Sequence, residues 1–249
     1  MIKVLINGCN GKMGREVIKQ LDEYDNFILI GGFDKENTES SPFPAYTSFE
    51  QIGEKPDVIV DFSIPIATFN ILNYAKEENI PIVIATTGFS EEENIKIIEY
   101  SKFIPIFKSS NMSFDTNLMA KTLASVAKEL QDTDIEIIES HHNRKIDSPS
   151  GTAILLADAI NKACNNKFTY NFDRLSKKEK RSHNEIGFSS IRGGNIVGEH
   201  TVKFIGANET FEITHTAYSR SVFADGAIKA ANFLISQNNG FYTMDDLLN

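Results

Sequence analysis

Ile2-Lys3-Val4-Leu5-Ile6-Asn7-Gly8-Cys9-Asn10-Gly11-Lys12-Met13-Gly14 is the stretch that decides the fold. Residues 2–7 form a short apolar run of the kind a buried strand uses. Met13, Val17, Ile18 and Leu21 then recur at spacings of four, one and three, which is a helical stripe. Between strand and helix lie three glycines in the order G-x-x-G-x-x-G. Glycines permit the tight turn and let backbone N–H groups approach a pyrophosphate, while the helix start adds partial positive charge. Asp34 follows about 20 positions after the turn, at the end of a second strand pattern, where a carboxylate binds ribose hydroxyls. Its neighbour Lys35 is placed to meet a 2′-phosphate. The bland alternative is a strand–helix turn with no cofactor. Cys9 reads as a small space-filler rather than a reactive thiol.

Outward from this turn, residues 1–111 repeat the same alternation. Strand patterns fall at 2–7, 27–33, 57–63, 80–86 and 103–108, with amphipathic stretches between them. Strand, helix, strand repeated in this way predicts a parallel sheet with helices on both faces. Asp61-Phe62-Ser63, Ala85-Thr86-Thr87-Gly88 and Ser110-Asn111-Met112-Ser113 all fall at strand carboxyl ends, the edge where such sheets bind ligands.

The pattern changes after Asn111. Residues 113–130 read as a long helix whose stripe is Phe114, Leu118, Met119, Leu123, Val126 and Leu130. A strand at 134–142 and a helix at 150–164, with Ser150 at its cap, follow. Strand patterns at 185–192, 199–205 and 210–217, with a short turn at Gly206-Ala207-Asn208, suggest antiparallel pairing in succession. A helix at 221–237 is expected to dock back on the first domain. The fold class is therefore α/β: a Rossmann-like parallel-sheet dinucleotide-binding domain over 1–112 and 219–249. A smaller α+β domain with a mixed or antiparallel open sheet covers 113–218. The long polar segment 165–184, with Lys177, Lys178, Lys180 and Arg181, reads as a solvated loop, with a mobile flap as the sharper alternative.

Composition narrows the function. The chain has 249 residues and a net charge of −9, and an acidic surface repels phosphate backbones, so no nucleic-acid partner is expected. The two cysteines, Cys9 and Cys164, form no CxxC, which excludes a disulfide framework and a cysteine-rich zinc site. No apolar run approaches the roughly 18 residues that span a bilayer, and the first residues open a strand rather than a signal peptide. No membrane partner and a cytoplasmic location are expected.

The chemistry is expected in Glu139-Ser140-His141-His142-Asn143-Arg144-Lys145-Ile146-Asp147-Ser148-Pro149-Ser150-Gly151-Thr152. Four potentially cationic side chains precede a helix start. Pro149-Ser150-Gly151-Thr152 turns N–H groups and a hydroxyl toward whatever lies before that helix, an arrangement that suits an anion. His141 or Lys145 could also supply a proton. Adjacent strand residues face opposite ways, so His141 and His142 are not expected to chelate one metal, and no metal is expected. The structural alternative is a polar loop with a capped helix. His183, His200 and His215 stand alone and read as structural.

The glycine turn and this cluster together resemble the dihydrodipicolinate reductase family, whose hallmark E-x-H-H-x-x-K-x-D-x-P-S-G-T-A is filled at every fixed position from Glu139 to Ala153. The resemblance extends across the chain, through Ile191-Arg192-Gly193-Gly194-Asn195-Ile196-Val197-Gly198-Glu199-His200 and Ser219-Arg220-Ser221-Val222-Phe223-Ala224. It implies a reductase using NADH or NADPH that delivers hydride to C4 of a dihydrodipicolinate-type ring. The product would be tetrahydrodipicolinate, on the diaminopimelate and lysine route. It also implies a homotetramer built through the second domain's sheet. By motif position His141 and Lys145 would be the acid–base pair. His142, Ser150, Gly151 and Thr152 would hold the carboxylates of a small cyclic dicarboxylate. Gly8, Cys9, Asn10, Gly11, Lys12, Met13, Asp34, Lys35, Ala85, Thr86, Thr87, Ser110, Asn111, Met112 and Ser113 would contact the cofactor. The chain departs from the family in Ala85 for a usual Gly, Met112 for a common Phe, and Asp34-Lys35 for other acid–base pairs, which leaves the choice between NADH and NADPH open. A different two-domain dehydrogenase and a non-enzymatic dinucleotide sensor are the rival readings.

Overall fold

A computed structural model describes residues 1–36, 43–174 and 176–249. The chain divides into two compact units, Met1–Phe114 with Arg220–Asn249, and Asp115–Ser219.

In the first unit the chain runs β1 (Ile2–Asn7), α1 (Lys12–Leu21), β2 (Phe27–Phe33), β3 (Ala45–Tyr46), β4 (Val58–Asp61), α2 (Pro65–Glu78), β5 (Ile82–Ile84), α3 (Glu91–Tyr100) and β6 (Pro105–Lys108). After the second unit's α4 (Phe114–Glu129), β7 (Asp134–His141), α5 (Gly151–Ala163), β8 (Thr169–Asn171), β9 (Glu185–Arg192), β10 (Gly198–Ile205) and β11 (Thr210–Ala217), it returns through α6 (Ser221–Leu234), β12 (Gly240–Tyr242) and α7 (Met244–Leu247). The first sheet has the order β12-β6-β5-β4-β1-β2-β3, with every pair parallel. Residues alternate between two cores. Val4, Ile6, Val60, Val83 and Phe107 pack with α1 and α6, while Leu5, Ile59, Ile82, Ile84 and Ile106 pack with α2 and α3. Burial on both faces is why these strands read as unbroken apolar runs. Strand order reverses between β1 and β4, the switch point at which a sheet of this kind opens a ligand crevice.

The second unit's sheet has the order β11-β10-β7-β9-β8. Its buried face carries Ile135, Ile137, Ile186, Val202 and Phe204 against Leu123 of α4 and Leu156 and Ile160 of α5. The opposite face is more polar, with a Lys203–Glu212 ion pair and a Thr201–Thr214 hydrogen bond. The expected succession of antiparallel strands holds for β10 and β11 but not for β9 and β10. β7 lies between those two, antiparallel to β10 and parallel to β9.

Segment 165–184 also differs from a solvated loop. It contains β8, paired parallel with β9. Arg181 is anchored on Asp134 at 3.1 Å, on Glu136 at 3.3 Å and on the carbonyl of Ile135 at 2.8 Å, and Arg174 pairs with Glu185. Lys177, Lys178 and Lys180 remain exposed, and Leu175 lies outside the described residues.

Candidate active site

Two clusters carry the chemistry-bearing residues, one in each unit. In the first unit, β1 ends in Gly8, whose φ of +79° favours a residue without a side chain. A Cβ there would stand 2.5 Å from the carbonyl oxygen of Phe62, and one on Gly14 would run into the carbonyl of Gly8. Gly11 is the N-cap of α1, and no side chain among the described residues caps it. Cys9 is buried against Gly32 of β2, and burial pushes its thiol up to about 11, so it fills space as expected. Asp34, just past β2, accepts from the backbone N–H of Asn10 at 3.0 Å and of Lys35 at 2.8 Å. A carboxylate retains further acceptor capacity for ribose hydroxyls. Lys35 is largely exposed, with Glu36 3.9 Å away, and Lys12 and Met13 form the first turn of α1. A glycine cradle, an uncapped helix start and a backbone-held acid together fit a dinucleotide.

The carboxyl ends of the next strands are locked by a residue whose role the sequence did not reveal. Asp61, wholly buried at the end of β4, accepts from Asn7 Nδ2 at 2.8 Å, Ser63 Oγ at 2.5 Å, Thr68 Oγ1 at 2.6 Å and Thr86 Oγ1 at 3.0 Å. Thr86 Oγ1 in turn accepts from the Ser63 N–H at 2.8 Å. Ala85 and Thr86 are therefore buried and fixed, while Thr87 and Gly88 lie exposed beyond them. Ser110 is exposed on the following loop, Asn111 Oδ1 accepts from the Ser113 N–H at 2.9 Å, and Met112 packs into the core. Gly226 of α6 passes so close to the Met112 carbonyl that any side chain would collide with it.

In the second unit, β7 delivers Glu139 and His141. Neighbours on a strand face opposite ways, but residues two apart share a face, so these two side chains meet, Glu139 Oε2 to His141 Nδ1 at 2.5 Å. Burial pushes Glu139 up, but hydrogen bonds from Arg192, Ser190 and His141 and the charge of Arg192 outweigh it and hold the carboxyl down to about 2. Burial lowers the His141 pKa, partly opposed by Glu139. His142 follows, with its N–H donating to the Ile196 carbonyl at 2.8 Å and its Nδ1 buried with no hydrogen-bond partner among the described residues. Lys145 pairs with Asp147 at 2.8 Å, and its side chain is about one-fifth exposed. Ser150 caps α5 by accepting from the Ala153 N–H at 3.1 Å, and its hydroxyl also bonds His200 Nε2 at 2.9 Å. The Ser150 hydroxyl is thereby committed to the frame, and Gly151 and Thr152 open the helix. His200 is buried with its ring 5.1 Å from that of His141.

This buried cluster predicts the acid behaviour of the unit. Burial pushes His200 down to about 3 from an ordinary 6.5, so its contribution to stability is present above 6.5 and is lost as pH falls toward 3. Glu139 acts with the same sign, but only as pH falls from 4.5 toward 2. Between pH 6.5 and 4.5 the loss belongs to the histidines. Urea unfolding of His200→Gln should show a shallower decline in that window than the native protein. The decline should not vanish, because His141 is also lowered.

Comparison with known proteins places both clusters in one family. The profile of dihydrodipicolinate reductase, N-terminus, matches residues 2–112, and that of dihydrodipicolinate reductase, C-terminus, matches residues 115–248. The 4-hydroxy-tetrahydrodipicolinate reductase of Caldanaerobacter subterraneus subsp. tengcongensis is 50% identical over 248 residues, covering 100% of this chain and 98% of that one. That of Clostridium novyi is 45% identical, with the same coverage. A solved dipicolinate-bound dihydrodipicolinate reductase from a Paenisporosarcina species superposes with a TM-score of 0.82 at 25% identity, over 98% of this chain and 97% of that one. With both profiles spanning nearly its full length, the chain belongs to the dihydrodipicolinate reductase family of NAD(P)H-dependent oxidoreductases.

Proposed function

We propose that the chain reduces the ring derived from 4-hydroxy-tetrahydrodipicolinate to tetrahydrodipicolinate, within diaminopimelate and lysine biosynthesis. The observation that carries this reading is the buried Glu139–His141 pair, with Lys145 four residues on and the α5 start at Gly151, all on one unit of a reductase-family chain.

NADH or NADPH supplies the hydride. The chain's part at that end is to bind and orient. Gly8 through Met13 cradle the pyrophosphate, Asp34 accepts from ribose hydroxyls, and exposed Lys35 tolerates a 2′-phosphate. Ala85, Thr86 and Thr87, with Ser110 through Ser113, form the nicotinamide end, and Asp61 holds Thr86 in place. The substrate carboxylates are taken by His142, whose Nδ1 has no partner among the described residues, and by the Gly151-Thr152 helix start that Ser150 caps. Water leaves the hydroxylated precursor to give a conjugated imine. Hydride addition at C4 pushes an electron pair through the ring, and the resulting negative charge must take up a proton. Glu139 is ionised and can only accept, so His141 must donate from Nδ1 and carries a lone pair on Nε2. That leaves Lys145 as the proton donor and His141 as the hydrogen-bond acceptor that orients.

On this reading the enzyme works in the cytoplasm as a homotetramer. The assembly reading is supported by the second unit's sheet, whose helices pack on the face of Val202 and Phe204. Among the described residues no helix is long and apolar enough to cross a membrane.

The test is an absorbance assay of NADH and NADPH oxidation with substrate freshly generated by an enzyme. Oxidation dependent on that substrate is expected. Cofactor binding with no oxidation of either cofactor would overturn the proposal.

A further inference from the structure

Glu139 accepts from Arg192 Nη1 at 2.8 Å, Arg192 Nη2 at 2.7 Å, His141 Nδ1 at 2.5 Å and the Ser150 N–H at 3.3 Å, and from the Ser190 side chain as well. The same Arg192 Nη2 donates to the carbonyl of Asp147 at 2.7 Å, and the Asp147 carboxylate holds Lys145. Parallel pairing of β7 with β9 sets His141 directly opposite Arg192, which is why the guanidinium reaches both the strand and the loop that follows it. One planar fork therefore binds the partner of His141 and the segment that carries Lys145.

We infer that Arg192 and Glu139 are positioning residues for the reduction: together they fix His141 as the Nδ1–H tautomer and hold the Lys145 loop in register with it. This rests on the roles proposed above for His141 and Lys145. Both are assigned to positioning because their polar atoms are engaged with each other, with His141 and with the loop. An ammonium cannot take the place of the guanidinium, because a single point charge does not span two carboxylate oxygens and a carbonyl at once. The charged and titratable groups around the His141 ring are Glu139 on its own strand, Arg192 on β9, His200 on β10 and Lys145 with Asp147 on the loop, with His215 of β11 beyond His200. Glu139 raises the His141 pKa, while Lys145 and Arg192 lower it.

Imidazole 15N and 13C NMR on the histidine-labelled full chain reads the tautomer and the titration of His141, and steady-state kinetics are taken on the same samples. In the native protein His141 should be neutral near pH 7 with the proton on Nδ1. In Glu139→Gln the ring signals should move toward a mixture of tautomers. In Arg192→Met the titration should move to higher pH, because a cation is removed. Turnover should fall about tenfold or more in both Arg192→Met and Arg192→Lys, with cofactor KM unchanged. An Nε2–H tautomer in the native protein overturns the inference. So does native turnover in the Arg192 variants. Should Arg192→Met not fold, Arg192→Lys decides, since it keeps the charge and loses only the fork: native turnover there overturns the inference. The tautomer readout needs no turnover. A chain that failed to reduce the ring but showed Nδ1–H would overturn the reaction assigned here and leave the positioning geometry standing.

Discussion

Lys145→Ala should lower turnover by about 10²- to 10⁴-fold, the range that a positioned proton donor contributes, while leaving NADH and NADPH dissociation constants unchanged. The split follows from where the residue sits. Lys145 is in the second unit, its N–H bonded to the His142 carbonyl at 3.1 Å and its ammonium to Asp147 at 2.8 Å. The glycine turn and Asp34 belong to the first unit, whose own contacts the substitution leaves intact. Lys145→Arg should not restore turnover. Arginine keeps the positive charge but does not release a proton in the accessible range. Stopped-flow turnover and equilibrium fluorescence titration with each cofactor check both halves. A variant that turned over normally but no longer bound cofactor would move Lys145 out of the reaction and into the binding site.

Asp61→Ala should be the most destabilising single change in the first unit, at about 3 kcal/mol or more, because it leaves buried donors without an acceptor. Asn7, Ser63, Thr68 and Thr86 all point at this carboxylate. Removing it frees the ends of β1 and β4, the first turn of α2 and the loop after β5 together, so cofactor affinity should fall along with melting temperature. Asp61→Asn should be milder. Its amide keeps one acceptor oxygen for Asn7, and a hydroxyl of Ser63, Thr68 or Thr86 can rotate to accept from its N–H₂. The pH signature separates Asp61 from Glu139. Burial raises the Asp61 pKa above its ordinary 3.8, with the hydrogen bonds opposing. Its contribution to stability is therefore present below 3.8 and declines as pH rises through the folded-state value. Glu139, paired with Arg192, has the opposite sign. Differential scanning calorimetry of Asp61→Asn across acidic pH should show that decline removed.

Those two carboxylates also mark how far the sequence alone could be read. Strands 2–7 and 27–33 are found where the apolar runs put them, because burial on both faces leaves no polar interruption. The glycine turn was legible because its geometry excludes side chains at Gly8 and Gly14. The E-x-H-H stretch was legible as one cluster because its residues lie close together in the chain.

What could not be read was contact across the chain. Asn7, Asp61, Thr68 and Thr86 come together only through the order β5-β4-β1, which no local pattern encodes. Arg192 meets Glu139 only because β9 runs parallel to β7, whereas local turn signals favoured antiparallel neighbours. Segment 165–184 looked solvated because the acids that anchor Arg181 sit on β7 and β9, far from it in sequence or hidden in strand patterns. β12 spans three residues, too few for any periodicity to show. Of the rival readings, membership in the reductase family removes the unrelated two-domain dehydrogenase. The buried His141–Glu139 pair beside Lys145 speaks against a sensor without chemistry.

The central claim is that hydride passes from the dinucleotide to ring carbon C4. It is tested most directly by running the reaction with cofactor deuterated at nicotinamide C4 and locating the label in the product by NMR. The account predicts one deuterium at C4 of tetrahydrodipicolinate for each cofactor oxidised. Oxidised cofactor with an unlabelled ring, or label at any other ring carbon, would contradict it.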